Sequence, residues 1–276
     1  MTQKIKFLTF IDLLFMLILG ISGSMENGAL SNTVYYLAFA IPVLIGISYI
    51  ADTYEGSGIS RAATARAMLK DFGISTRAAL LSLPVIAAGI GAVLLISLAT
   101  SSVMELLGKE NAASFTEPFI LALLLHALIP AALEELLFRF LPVNLLKNEP
   151  KTAIIASSIF FAFAHANLFQ IPHAFVAGLI LSSLYIATDS ILPCILMHFL
   201  NNTLSLTSIY GYDGAALWIT FAAIVGISLI FIIIFRNTYL KAAKKLVCGE
   251  RIRLGYAPIA LIAVSLTFAI SALFAQ

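Results

Sequence analysis

Residues 215–235 read AALWITFAAIVGISLIFIIIF, a run that contains no charged side chain. A helix of about 20 apolar residues crosses the hydrocarbon core of a bilayer, so this stretch is long enough to span a membrane. The remainder of the chain has the same character, since 61% of its 276 residues are hydrophobic, 11% are charged and the mean hydropathy is +1.03. A soluble domain usually carries about 25% charged residues. The sequence therefore predicts an integral membrane protein.

Eight further segments are also apolar enough to cross. Because lipid cannot satisfy free backbone groups, each span must be a helix. We therefore expect an all-α polytopic bundle of eight or nine spans, in which residues 1–276 form one integral membrane domain. A short amphipathic helix from Ile59 to Phe72 is expected at the membrane interface. The predicted spans are Phe7–Gly23, Thr33–Ile50, Arg77–Thr100, Pro118–Leu146, Thr152–His165, Pro172–Ala187, Ser190–Ile209, Ala215–Phe235 and Tyr256–Phe274.

The basic residues predict the orientation of these spans. If the N-terminus is cytoplasmic, all 16 lysines and arginines except Lys109 and Arg139 fall in cytoplasmic regions. Such a bias is typical of the cytoplasmic side of membrane proteins. We therefore expect a cytoplasmic N-terminus and a multi-pass protein of the plasma (cell inner) membrane. Phe7–Gly23 also resembles a signal peptide, but we expect a retained anchor because so many spans follow. No basic tract indicates a nucleic-acid partner.

Charged residues stand out in the fourth predicted span, where residues 126–140 read HALIPAALEELLFRF. A charge at mid-bilayer costs at least about 2.5–3.5 kcal/mol, so it is normally kept for a reason. Glu135 and Arg139 are spaced i,i+4 and are expected to form an ion pair. Glu134 points about 100° away on the helix and remains free for chemistry. The alternative is a Glu135–Arg139 pair that only stabilises the fold.

Two other predicted spans carry polar groups at a similar depth. His165 ends the fifth span, and His198 and Asn202 share one face of the seventh. Glu134, His165 and Asn202 each lie about 12 or 13 residues, roughly 18–20 Å, from the inner end of their segment. Packing residues on separate helices would not need to agree in depth, although polar side chains can also clasp membrane helices together. We expect these groups to share one layer near mid-bilayer.

This layer contains the parts needed to hydrolyse a carbonyl centre. A carboxylate and an imidazole can activate water, and a second imidazole with an amide can stabilise an oxyanion. Glu134, His165 and His198 could instead hold zinc, although the HExxH spacing of a zinc helix is absent. The other polar residues near these motifs are expected to be structural or to face elsewhere; they are His126, His173 and Asn201. No disulfide is expected between Cys194 and Cys248, which fall in unlike segments.

Three motifs occur in order between Pro118 and Ile209, the predicted catalytic core: EExxxR from Glu134, FxxxH from Phe161 and HxxxN from His198. Together they resemble the CPBP family of intramembrane proteases. This family includes the type II CAAX prenyl endopeptidases and bacteriocin-processing or self-immunity relatives, also called the abortive-infection family.

The resemblance implies a role for each matching residue. Glu134 and His165 would activate water, and His198 and Asn202 would form the oxyanion site. The supporting residues would be Glu135, Arg139 and Phe161. We expect a metal-free, glutamate-type mechanism because Asn202 is a poor zinc ligand, with zinc as the alternative cofactor.

The expected function is that of an intramembrane endopeptidase. Its partners would be the lipid bilayer and a membrane-associated peptide or a lipid-modified protein substrate. One alternative is a non-proteolytic membrane scaffold or bacteriocin self-immunity factor, in which the polar layer would bind or pack. Another is a small transporter with a midplane substrate site, although no inverted repeat is evident in the sequence.

Overall fold

The computed structural model describes residues 2–25, 28–109, 115–247 and 254–275, and within these ranges helix is the only regular secondary structure. The all-α prediction is confirmed. We number the helices in chain order, and the long helix Phe119–Leu145, which contains two π-helical segments, takes one number. The helices are α1 (Thr2–Gly23), α2 (Gly28–Glu55), α3 (Arg61–Lys70), α4 (Thr76–Leu106), α5 (Phe119–Leu145), α6 (Pro150–Ala164), α7 (Ile171–Thr188), α8 (Leu192–Ile209), α9 (Ala215–Ile234), α10 (Arg236–Val247) and α11 (Ala257–Ala275).

Each of the nine predicted spans corresponds to a helix, but only six helices of the described ranges are long and apolar enough to count as candidate membrane spans; they are α1, α2, α4, α5, α7 and α9. Helix α6 is shorter, and α11 contributes a short apolar stretch, Leu261–Ile270. Helix α8 is not among the candidates, and His198, Asn201 and Asn202 make it more polar. The count of eight or nine crossings and the cytoplasmic N-terminus therefore stay predictions.

A helix is present between Ile59 and Phe72 as expected, namely α3, and the Ser60 hydroxyl caps it by accepting a hydrogen bond from the Ala63 N–H. Its amphipathic character and its position at the membrane interface stay predictions. Helix α10 was not predicted, because it is basic and contains no long apolar run. It lies against the bundle, where the Tyr239 hydroxyl donates to the Leu81 carbonyl at 3.1 Å. Cys194 is buried and unpaired, whereas Cys248 lies outside the described residues, as do Arg251 and Arg253.

Small side chains let α5, α6 and α7 approach closely. A Cβ added to Gly178 of α7 would lie 2.7 Å from the Cα of Ser158 on α6. One turn further along α7, the Ser182 hydroxyl donates to the Ser157 hydroxyl at 2.8 Å, and Ser157 in turn donates to the Phe138 carbonyl of α5. Small residues and serine hydroxyls are the usual means of close helix packing in membranes. They fix α6 and α7 beside the polar residues of α5.

The first helix of the chain packs against the last. Helix α1 contacts α2, α6 and α11, and the Ser265 hydroxyl of α11 donates to the Phe163 carbonyl of α6 at 2.5 Å. The α1 residues Ile5, Leu8, Ile11 and Phe15 are all buried. In the described chain, α1 is therefore an integral part of the bundle.

The structure gathers the basic residues at one end of the bundle, which we call the basic end. There the Lys4 ammonium donates to the Leu145 carbonyl at 2.7 Å, and Lys245 pairs with Asp189 at 2.9 Å. Lys70 and Lys147 line one cavity at this end. At the opposite end, the Tyr210 hydroxyl of α8 donates to the Glu117 carbonyl at 2.6 Å, just before α5 begins.

A polar network ties the helices together at the basic end. The Asp71 carboxylate, which follows α3, accepts hydrogen bonds from the Tyr185 hydroxyl at 2.5 Å and from the Asn144 amide at 3.0 Å. The Asp71 carbonyl also accepts from the Ile191 N–H at 2.9 Å. This network joins the ends of α3, α5 and α7 to the start of α8.

The turn between α6 and α7 stops inside the bundle. Helix α6 has 15 residues, so it is roughly 22 Å long, less than the hydrocarbon thickness of about 30 Å. The chain reverses at residues 165–170, where Ala166 adopts a φ of 45°. Helix α4 has 31 residues and extends well past this level. The short α6–α7 turn therefore leaves space above it, towards the opposite end.

Candidate active site

A cavity of about 440 Å³ lies beside the α6–α7 turn and is bordered by α2, α4, α5, α6, α7 and α8. Glu134, His165, His198 and Asn202, the four predicted catalytic residues, all line it, together with Phe161. Three helices thus bring the predicted polar groups to one space. We call this space the catalytic cavity.

The backbone of α5 departs from regular α-helix on both sides of the glutamates. Residues Leu123–Leu128 and Leu136–Phe140 form π-helical segments, with Ile129–Glu135 between them. Pro130 has no N–H and would clash with the carbonyl four residues before it, which favours a wider turn. Such π-segments are frequent at functional sites. The sequence prediction assumed a straight α-helix and therefore could not place the glutamates accurately.

Glu135 links the ion pair to the catalytic cavity. Its Oε2 lies 3.3 Å from Arg139 Nε, so the predicted pair is present, and both side chains are fully buried. Its Oε1 lies 2.7 Å from His198 Nδ1. Because a carboxylate only accepts, this hydrogen bond fixes the proton on Nδ1 and turns Nε2 towards Glu134. The contact between Glu135 and His198 was not predicted, and no spacing in the sequence reveals it.

Arg139 is held on its other side by an aromatic ring. Its Cζ lies 3.8 Å from the centroid of the Phe161 ring. The Phe161 ring also meets the imidazoles of His165 and His198 edge to face, with centroid distances of 4.8 and 5.5 Å. A cation over an aromatic face is stabilised, more so when it is desolvated. The Phe161 of the FxxxH motif thus connects all three polar helices.

Glu134 is the carboxylate that faces the cavity. Its side chain is 16% exposed, and its Oε2 lies 3.6 Å from His198 Nε2. That oxygen has no hydrogen-bond partner among the described residues. Glu134 and His165 also line a second cavity of about 190 Å³ on the side of α1 and α2. The Glu134 carboxylate is therefore available to bind a water molecule or a substrate group.

His165 lines the cavity at the end of α6. Its Nδ1 lies 2.7 Å from the Phe161 carbonyl, so Nδ1 donates and Nε2 is left as an acceptor. Asn202 lies one turn beyond His198 on α8, and its carboxamide makes no hydrogen bond to another side chain of the described residues. The cavity wall therefore offers one imidazole acceptor and one free amide donor.

Several polar residues that the sequence placed elsewhere also line the cavity. Asn201 was expected to face away, and this is wrong: the cavity is wide enough to reach both Asn201 and Asn202 on α8. His173 and Gln170 contribute from the start of α7. Gln170 and His173 are three residues apart at the start of a helix, and this spacing was the sequence signal that could have revealed them. His126 lines the mouth, where it stacks on Phe115 with ring centroids 4.3 Å apart.

The residues do not fit a zinc ion as they stand. In the described part of the chain, no three His, Cys, Asp or Glu side chains are grouped so that they could hold one metal. The alternative set of Glu134, His165 and His198 is therefore not carried into the mechanism, and metal independence stays a prediction.

Residues 116–204 match the sequence model of a family described as type II CAAX prenyl endopeptidase Rce1-like. The matched stretch contains the EExxxR, FxxxH and HxxxN motifs, which confirms the resemblance drawn from them. No curated protein and no solved structure shows significant similarity to the chain.

Proposed function

Because residues 116–204 match the sequence model of the Rce1-like CAAX endopeptidase family, we propose that the protein is an intramembrane endopeptidase that cleaves a membrane-associated or lipid-modified polypeptide. The observation that carries the proposal is the shared cavity lined by Glu134, His165, His198 and Asn202. A carboxylate, two imidazoles and an amide facing one space can divide water activation and oxyanion stabilisation between them.

The first step is attack by water on the scissile carbonyl carbon. Glu134, whose Oε2 is free, accepts a proton from the water, and His165 Nε2 orients the water by accepting its other hydrogen. The new C–O bond forms as the carbonyl π electrons move onto oxygen. General-base catalysis of this kind contributes typically 10²–10⁴-fold.

The resulting oxyanion must then be stabilised. His198 Nε2–H and the Asn202 amide would donate to it from α8. For Nε2 to donate while Nδ1 donates to Glu135, the imidazole must be protonated on both nitrogens. Glu135 accepts from Nδ1 at 2.7 Å and stabilises that cation, while Arg139 balances the charge of Glu135. Glu135 and Arg139 are positioning residues in this mechanism.

Collapse of the tetrahedral intermediate completes the reaction. Glu134 returns its proton to the leaving nitrogen as the C–N bond breaks, which yields an amine and a carboxylic acid. The oxyanion electrons re-form the carbonyl, so no oxidant, reductant or further reactant is needed. Glu134 begins and ends the cycle in the same protonation state.

The proposal predicts that Glu134→Gln lowers cleavage by roughly 10²–10⁴-fold, because the amide cannot accept the proton from water. The measurement is quantitative mass spectrometry of membrane peptides from cells that produce either form of the protein. Glu105→Gln is the matched control, since Glu105 is an exposed glutamate near the end of α4 and should leave cleavage unchanged. Full cleavage by the Glu134 variant would reject the assigned role.

The same variant separates the protease from a non-enzymatic scaffold or self-immunity factor. A scaffold needs the fold and not the base, so Glu134→Gln would still complement a deletion strain. An endopeptidase loses complementation and cleavage together. Equal expression of the two forms, measured in the membrane fraction, is the necessary control.

A further inference from the structure

We infer that the catalytic cavity is entered from the end of the bundle opposite to the basic end, so that the substrate is a polypeptide segment in the extracytoplasmic half of the membrane. The inference rests on the proposed function and narrows its substrate class. It favours an extracytoplasmic segment over a lipid-modified cytoplasmic tail.

Towards the basic end, packed side chains close the catalytic cavity. Leu181 and Met197 form its inner wall, and next to them Tyr185, Ile191 and Cys194 are buried, with no more than 2% of each exposed. The Asp71 network then joins α3, α5 and α7 beyond this layer. A separate cavity of about 360 Å³ exists at the basic end, but it shares no lining residue with the catalytic cavity. The described residues therefore offer no passage from that side.

Towards the opposite end, the cavity follows α8 outward. Its lining runs from His198 to Ile209, which is three turns or roughly 16 Å of helix. Ser205 and Ile209 are exposed. Gln170 and His173, at the α6–α7 turn, line the side of the cavity. Among the described residues, the space is open in this direction.

The charge distribution assigns this opening to the extracytoplasmic side. The basic end holds the lysines and arginines of α1, α3 and α10, of the start of α4 and of the α5–α6 connection, whereas Lys109 is the only basic residue that the structure describes at the opposite end. Basic residues near span ends mark the cytoplasmic side. The basic end is therefore cytoplasmic, and the mouth of the cavity faces outward.

The dimensions of the cavity constrain the substrate further. An extended chain advances about 3.3 Å per residue, so a depth of roughly 16 Å admits about five residues. In a helical substrate, the backbone carbonyls are hydrogen-bonded to N–H groups of the same helix. The substrate segment must therefore unwind before its scissile carbonyl can reach Glu134 and His165. The chemistry therefore fits a locally extended polypeptide that enters from the outer leaflet or from the space beyond it.

Cysteine accessibility in intact cells tests the inference without requiring proteolysis. Three single substitutions are made in a Cys248→Ser background, with the buried Cys194 left in place. Ser205→Cys reports the mouth of the cavity. Gly214→Cys reports the loop at the opposite end, where an added side chain meets nothing within 4 Å, and Ser57→Cys reports an exposed turn at the basic end. A charged, membrane-impermeant maleimide is then added to whole cells and, separately, to lysed cells.

We expect Ser205→Cys and Gly214→Cys to react in intact cells and Ser57→Cys to react only after lysis. If Ser205→Cys reacts only after lysis, as Ser57→Cys is expected to do, the inference is wrong. It is also wrong if Ser205→Cys reacts under neither condition. Labelling of Ser57→Cys in intact cells would overturn the orientation on which it depends. Repeating the experiment in a Glu134→Gln chain separates access from catalysis, because labelling needs no turnover. We expect the Glu134→Gln chain to lose cleavage and to keep the labelling pattern. Full cleavage by that chain would overturn the proposed function, whereas the labelling pattern alone decides the side from which the cavity is entered.

Discussion

The sequence reveals only one of the two contacts that Glu135 makes. Spacing alone predicts its ion pair with Arg139, and the structure adds the 2.7 Å hydrogen bond to His198 Nδ1. Because of that contact, the two glutamates of the EExxxR motif have distinct roles. Glu134 faces the cavity, whereas Glu135 holds an imidazole from behind. Adjacent residues on a helix point about 100° apart, so neither can replace the other.

Glu135→Gln is predicted to lower kcat by roughly 10-fold or more while KM changes little. The amide oxygen can still accept from His198 Nδ1, but the charge that stabilises the imidazolium is gone, and such an interaction matters most in the transition state. Steady-state kinetics on a cleavable peptide, with kcat measured across pH, provide the test. A purely structural role predicts instead a loss of folded protein with an unaltered kcat per folded molecule.

Removal of the Glu135 side chain is a different experiment. Glu135→Ala leaves the Arg139 guanidinium buried without its anion, and breaking a buried pair from one side costs about 3–5 kcal/mol. We expect a large drop in the thermal unfolding temperature in detergent. Glu135→Ala combined with Arg139→Met removes both charges and should recover much of that stability; no recovery would show that the pair is not the source of the loss.

Asp12 is a second buried acid, and the sequence analysis overlooked it. It lies in the middle of α1, is 2% exposed, and neither of its carboxyl oxygens has a hydrogen-bond partner among the described residues. A buried polar group without a partner costs about 1–3 kcal/mol. Asp12→Leu is therefore predicted to raise the thermal unfolding temperature and to leave cleavage unchanged. A lower unfolding temperature would indicate that the carboxyl group has a partner after all.

Among the helices, α6 and α7 decide whether the cavity forms. Gly178 lets α7 pack against the backbone of α6. The α6–α7 turn then places His165 in the wall of the catalytic cavity. Gly178→Val is predicted to cost about 1–3 kcal/mol because the side chain meets backbone rather than a flexible tip. It should also reduce cleavage by moving His165. Gly226→Ala in α9, where nothing lies within 4 Å, is the control for a glycine change in a helix.

The sequence predicted helices well and their contacts poorly. Each of the nine apolar runs corresponds to a helix of the described residues, and six of these helices have the length and composition that a bilayer requires. The π-helical segments around Ile129–Glu135 and the basic helix α10 were missed, because Pro130 sets a local geometry and α10 depends on packing against the bundle. The motifs named the site residues, yet only the fold shows that Asn201, Gln170 and His173 share the cavity with them.

For the molecule as a whole, the arrangement of residues bears on cofactor requirement. Three possible ligands converge on the cavity, but they are not grouped to hold a metal in the described part of the chain. We predict that dialysis against a chelator leaves both cleavage and the unfolding temperature unchanged, because a protein that binds no structural or catalytic metal loses neither when metal is removed. Loss of activity that returns on addition of zinc alone would contradict the metal-free mechanism.

The contact between α1 and α11 has a consequence for how the protein assembles in the membrane. The ribosome makes α11 long after α1, so α1 must wait in the bilayer for this neighbour while the helices between them are synthesised. Until then the Phe163 carbonyl lacks the Ser265 hydroxyl, and the flank of α1 that later meets α11 stays in contact with lipid. Assembly of this bundle thus includes a late docking of α11 onto α1 and α6, and a chain truncated before residue 257 lacks the helix that covers this flank of α1.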